Sequence, residues 1–346
     1  MHKSSFKISS IIIGFSLLLS ACGGAVNTVA APTVAAPAAA ATEAPASTQA
    51  APSESALSGN ISVSGAFALY PMMTVWAGEF TKLHPGVQFD VQAGGAGKGM
   101  TDTLAGAVDI GMISRAIKPE EESKGAFWVT VAKDGVFPVI SAKNPVLADI
   151  TAKGISQAIF KKIFITGEIT TWGEVVGKPE VKDAIHVYTR SDSAGSADTW
   201  ALFCGAKVQA DILTSAIGVN GEPALVDTVA KDPLGISFSN LGGIFDMTSG
   251  NVVQGTIVPP IDFNGNGQAD PDEVYKTKND ATSAISSGKY PIPPARFENL
   301  ATKGKPTGVV LAFIQWILTD GQKDLDQAGY VVLTPDQLAE SMTKLK

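Results

Sequence analysis

The 346-residue sequence has little of the side-chain chemistry that catalysis and transition-metal binding need. Two cysteines and three histidines are present, and one of each, Cys22 and His2, falls in the first 22 residues. Thiolate and imidazole metal sites are thereby nearly excluded. Cys204 is left as an unpaired thiol and is expected to be buried and inert. His186 has no second His, Asp or Cys at ligand or triad spacing, so it reads as a packing or surface residue. No Ser-His, Cys-His or paired-carboxylate constellation is evident, and the chain is not expected to be an enzyme. Positive charge is also scarce, with 26 Lys and Arg against 33 Asp and Glu, a net charge of −7. No dense basic cluster occurs, so nucleic acid is not expected as a partner. Any anion bound here must be held by local geometry, not drawn in by the overall field.

What is present describes an exported globular protein. Hydrophobic residues make up 45% and charged residues 17%, and the length favours two domains. Lys3 and Lys7 precede the apolar run Ile8–Leu19, a signal-peptide pattern too short for a comfortable membrane span. The run ends in Leu19-Ser20-Ala21-Cys22, which resembles the lipobox of bacterial lipoproteins and implies lipidation of Cys22 after cleavage. Acyl chains at about 0.8 kcal/mol per buried CH₂ would anchor the chain to a membrane surface. Residues 23–57 are almost all Ala, Pro, Thr, Val and Ser and read as a disordered tether.

Three later segments share one pattern, a strand delivered to a helix start through small residues. In Val187–Trp200 a β-branched run is broken by Arg190, Asp192, two serines and Gly195, and Ser196 opens a helix. Unpaired N–H groups and a guanidinium converge there, as an anion pocket requires; an ordinary N-capped helix with a surface arginine fits the same residues. Ile61–Ser64 runs into Gly65–Pro71 and a helix through Met72, Val75, Trp76 and Phe80. Val87–Val91 feeds Gly94–Gly99 and the helix Met100–Ala107. That glycine-rich turn is not a nucleotide P-loop, because Gly99 follows the lysine where Ser or Thr is needed. It reads as a backbone nest or a flexible turn. A strand over Val108–Ile113 ends in the polar pair Ser114-Arg115, and ligands sit at such strand ends in α/β sheets.

The order G-A-F-A-L-Y-P, a glycine-rich turn, V-D-I-G-x-x-S-R, I-F-I-T-G-E-I-T-T-W, R-S-D-S-A-G-S and G-K-Y-P-I resembles the phosphate-binding proteins of phosphate-specific ABC importers. The resemblance implies an α/β, type II periplasmic-binding-protein fold, with two α/β lobes joined by two crossing strands and a ligand cleft between them. Val136–Ser141 and the segment after Tyr290-Pro291 read as the crossings. Lobe 1 is then 58–138 with 296–346, and lobe 2 is 139–295. By the same resemblance Arg190 contacts the anion, Asp192 orients it, and Gly195 and Ser196 donate backbone and hydroxyl hydrogens. Phe67 and Ala68 offer first-turn N–H groups, and Gly95, Ala96 and Gly97 form the second turn. Ala96 and Ala194 stand where the family has serines, and Phe67 where it has threonine. Ser114 stands where it has the aspartate that accepts the proton carried by phosphate. Arg115 adds a second charge to the cleft or faces the hinge. Trp172 is read as core, as are the helix over Gly308–Thr319 and a late strand, Gly329–Leu333.

Residues 262–273 match the calcium loop of EF-hands. Asp262, Asn264 and Asn266 fall at positions 1, 3 and 5, Gly267 at 6 and Glu273 at 12, with Gln268 and Asp270 between. Asn-Gly-Asn-Gly also suits a plain hairpin turn. The preceding Ile257–Ile261 looks extended, so a structural calcium ion is expected in an insertion of lobe 2, with no organic cofactor. The expected function is a monomeric, lipid-anchored extracytoplasmic protein that captures phosphate and delivers it to an ABC permease. Another oxyanion (sulfate, molybdate or tungstate), a small organic anion, or a calcium-stabilised surface adhesin are the alternatives.

Overall fold

The computed structural model describes residues 57–346, all within one compact unit. The leader, Cys22 and the tether up to residue 56 lie outside the described residues. Strand β1 (Ser58–Gly65) buries Ile61 and Val63, two apart and so on one face. It leads into α1 (Tyr70–Leu83), which buries Met72, Met73, Trp76, Ala77 and Phe80 at helical spacing. Strand β2 (Gly86–Ala93) pairs with β1 in parallel and is followed by α2 (Ala96–Ala105). This helix begins at Ala96, not Met100, so Gly97, Lys98 and Gly99 are wound into its first turn. Gly99 permits this, because a Cβ there would lie 2.7 Å from Gly65 Cα and 2.9 Å from Ser64 O. Strand β3 (Ile110–Ile113) flanks β1 on its other side, also in parallel.

The 16-residue strand β4 (Ala126–Ser141) then runs the length of the sheet. Strand β5 (His186–Arg190) delivers the chain to α3 (Gly195–Phe203). Strand β6 (Ile217–Val219) leads to α4 (Glu222–Lys231) and strand β7 (Gly235–Asn240). Strand β8 (Ala295–Lys303) returns antiparallel along β4, and α5 (Gly308–Ile317) follows. The hydrogen-bonded order is β2-β1-β3-β8-β4-β7-β5-β6.

Apolar burial divides along β4 and β8. One core holds residues from Ile61 to Ala132 together with Leu300 to Leu345. The other holds Val136 to Ala295, with Trp172 and Trp200 fully buried, and Val331. Between the cores the two long strands carry buried Lys133, Asp134, Arg296 and Glu298. Two elements differ from expectation. The pattern Ile155–Ile163 reads in sequence as an amphipathic helix, and the helix starts at Gln157, because Ser156 caps it by accepting the Ile159 N–H. Gly329–Leu333 is no strand: Val331 makes one bridge to Lys133 and nothing more.

Candidate functional site

The starts of α1, α2 and α3 meet at one small cavity. None of the three has a side-chain cap; the Tyr70 N–H is taken by Ala66 O and the Gly97 N–H by Ser193 O, while the Ala96, Gly195 and Ser196 N–H groups make no hydrogen bond among the described residues. The lining is Ala66, Phe67, Ala68, Gly95, Ala96, Ser114, Arg190, Ala194, Gly195, Ser196, Glu222 and Arg296. Nine of the twelve residues expected from sequence are among them.

Arg190, 3% exposed, enters from the end of β5. Its Nε donates to Asp192 Oδ1 at 2.9 Å, and its two Nη groups pair with Asp192 Oδ2 and Glu222 Oε2. The Phe67 ring lies 5.1 Å from the guanidinium carbon, a cation–π contact in place of the missing threonine hydroxyl. Burial pulls the Arg190 pKa below its ordinary value, while the hydrogen bond and charge of Asp192 push it back up. Gln209 fixes the loop after the arginine. Its Nε2 donates to the carbonyls of Arg190 and Asp192 at 2.9 and 2.8 Å, and its Oε1 accepts the Ala194 N–H.

Three expected residues do not line the cavity. Asp192 stands behind Arg190 and also accepts the Gly221 N–H at 3.1 Å, so it orients the arginine without facing the ligand space. Gly97 donates its N–H to Ser193 O at 3.2 Å across the cleft. Arg115 is turned away from the cavity: Glu121 takes both its Nη groups at 2.9 and 2.6 Å, and Asp198 on α3 lies 3.5 Å from its Nε. The second guanidinium comes instead from Arg296 on β8. It donates to Ser114 O at 3.0 Å and to Asp134 Oδ2 at 2.7 Å. Glu298 lies beyond it, with Oε1 3.3 Å from Arg296 Nε. Burial raises the Glu298 pKa well above the carboxylate range, more than Arg296 lowers it.

The two arginines are thus already matched by Asp192, Glu222 and Asp134. The cavity therefore offers directed donors with little net positive charge. The cleft is also tight. A Cβ on Gly95 would lie 2.5 Å from Ser193 O, and one on Gly195 would lie 2.5 Å from Ser114 Oγ and 2.8 Å from its carbonyl carbon. Glycine at 95 and 195 lets the two halves of the wall touch.

A model described as the PBP superfamily domain matches residues 39–321. The chain belongs to this superfamily. The architecture is the type II periplasmic-binding-protein fold. Over 337 residues the chain is 27% identical to the phosphate-binding protein PstS of Bacillus subtilis, covering 96% of each. A candidate phosphate ABC transporter substrate-binding protein from Clostridium perfringens, solved with bound phosphate, superposes with a TM-score of 0.64 at 22% identity. The match covers 80% of this chain and all of that one. An ABC-type phosphate transport receptor from Vibrio cholerae gives 0.59 at 21% identity, over 79% of this chain and 100% of that one. Within this superfamily member the cleft residues named above form the candidate ligand site.

The expected calcium loop lies apart from the cavity. Asp262 Oδ1 accepts from the Gly265 and Asn266 N–H groups at 2.7 and 3.1 Å, and Oδ2 from Gly267 at 3.0 Å. Glu273 accepts from the Phe263 and Asp270 N–H groups at 2.7 and 3.2 Å. The amides of Asn264 and Asn266 both donate to Asp270 Oδ2, at 2.7 and 2.9 Å. Positions 3, 5 and 9 therefore converge, while Gln268 donates its N–H to Asn266 Oδ1 at 2.8 Å. No group of three or more His, Cys, Asp or Glu side chains is gathered for a metal among the described residues. Elsewhere, His186 Nδ1 lies 2.7 Å from Asp232 Oδ2, a structural pairing, and Cys204 is buried with its thiol pKa pushed up by desolvation.

Proposed function

We propose that the protein is the lipid-anchored, extracytoplasmic solute-binding subunit of an ABC importer, and that it captures inorganic phosphate in the cavity at Arg190 and delivers it to the permease. The observation that carries this reading is the convergence of three uncapped helix starts on a buried arginine in a closed cleft. Such a site suits a small tetrahedral oxyanion: amide hydrogens surround it and one guanidinium fixes its orientation. The likeness to PstS proteins and to phosphate-transport receptors supports phosphate as that anion. The Lys3-to-Cys22 leader supports export and anchoring, and no described helix is long and apolar enough to cross a membrane. Sulfate is the principal competitor, since Ser114 stands where the family resemblance gives the aspartate that accepts the proton of phosphate.

Calorimetric titration with phosphate tests the reading. One site per chain is expected, lost in Arg190→Ala; absence of binding to the unaltered protein sinks it. We propose in addition that residues 262–273 hold a structural calcium ion. Hard oxygen donors at every template position support this, and Asp270 is freed for an ion if the Asn264 and Asn266 amides turn their oxygens inward.

A further inference from the structure

We infer that Glu222 decides which oxyanion the cavity accepts, by taking a hydrogen bond from a ligand that carries a proton and repelling one that carries none. The inference rests on the oxyanion reading above and names the specificity of that site. Glu222 opens α4 behind Gly221, whose φ of 82° lets the chain turn into the helix. It is 4% exposed and lines the cavity beside Ser114, Arg190 and Ser196. Oε2 is committed to Arg190, while Oε1 is buried with no hydrogen-bond partner at all.

A buried carboxylate oxygen without a donor is costly, and the cost is removed only by a group that brings a hydrogen. Neither neighbouring guanidinium donates to it. Arg190 pairs with Asp192 and the other oxygen of Glu222, and Arg296 with Asp134 and the Ser114 carbonyl. Glu222 therefore brings one unmet acceptor to a cavity whose other polar side chains, Ser114, Arg190, Ser196 and Arg296, can all donate. Hydrogen phosphate and sulfate are both tetrahedral dianions, and they differ there by one proton. A P–O–H group donates to Oε1 in a charge-assisted bond, and the proton stays on the ligand. Sulfate, or the proton-free dianion monofluorophosphate, sets a lone pair against the carboxylate, which discriminates by repulsion. Ser114 stands at the position that the family resemblance gives to an aspartate. The carboxylate thus reaches the cavity from a different element, 108 positions further along the chain.

The test is calorimetry of the unaltered protein and of Glu222→Gln with phosphate, sulfate and monofluorophosphate in mildly alkaline buffer. The unaltered protein is expected to prefer phosphate over both proton-free anions by about a hundredfold or more. In Glu222→Gln the preference should fall at least about tenfold, with sulfate and monofluorophosphate gaining affinity. A folded Glu222→Gln protein with unchanged preference overturns the inference while leaving the phosphate reading intact. Equal affinity of the unaltered protein for phosphate and monofluorophosphate overturns it too, without need of the variant, should the variant fail to fold. No phosphate binding by the unaltered protein overturns the functional reading and this inference with it.

Discussion

Gly195→Ala isolates the closing of the cleft from the stability of the fold. Gly195 is the first residue of α3 and has ordinary helical backbone, so alanine is tolerated locally and favoured by about 0.5–1 kcal/mol within a helix. The added methyl, however, would lie 2.5 Å from Ser114 Oγ and 2.8 Å from the Ser114 carbonyl carbon, and closer still to its oxygen. Carbon contacts are comfortable at about 3.5–4.0 Å, so the wall must part by about 1 Å. Ser114 is carried by the first core and Gly195 by the second, so the parting opens the cavity between them. Overpacking of this kind costs about 1–3 kcal/mol, a drop in phosphate affinity of about 5- to 150-fold. Without ligand the halves can separate and relieve the clash, so the melting temperature should be unchanged or slightly raised. Calorimetry and a ligand-free thermal melt read the two effects separately. Unchanged affinity, or an affinity loss matched by a loss of ligand-free stability, would contradict a clash confined to the closed cleft.

Two further outcomes probe regions outside the ligand contacts. Glu298→Gln should stabilise the protein by about 1 kcal/mol or more in alkaline buffer. The folded-state pKa of Glu298 is raised, so its favourable contribution is complete below the unfolded value of about 4.3 and is lost as pH rises toward the folded value. The advantage of the variant should therefore grow with pH in thermal melts, and a pH-independent difference contradicts it. Calcium at a hundredfold excess over its Kd should add about 2.7 kcal/mol of stability, and Glu273→Ala should abolish the gain; a melt indifferent to calcium counts against the loop.

Much of the site was legible because its signals are local. Each helix start is announced by small residues within a few positions of a strand, and Arg190 with Asp192 sits two residues apart on one turn. The missing pieces reach the cavity only through the closed topology. Arg296 arrives because β8 lies beside β3 and β4, and Glu222 because α4 starts where β6 ends against β5. In sequence, Gly221-Glu222-Pro223 is an ordinary helix opening, and Arg296 is a lone arginine in an extended stretch. Arg115 illustrates the converse. Its place at a strand end points it toward ligand, but Glu121, six residues on in a short acidic helix, captures both Nη groups. Helix α2 starts four residues before the sequence suggests, because glycine is a poor helix former in general, whereas here close packing on β1 demands it.

A crystal structure of the protein grown with phosphate would show whether the anion occupies this cavity. Phosphate is predicted in the cavity between Phe67, Ala96, Ser114, Arg190 and Ser196, its oxygens on the Arg190 guanidinium and the amide hydrogens that open α2 and α3, with one oxygen against Glu222 Oε1. Phosphate bound elsewhere, with this cavity holding only water, would contradict the account.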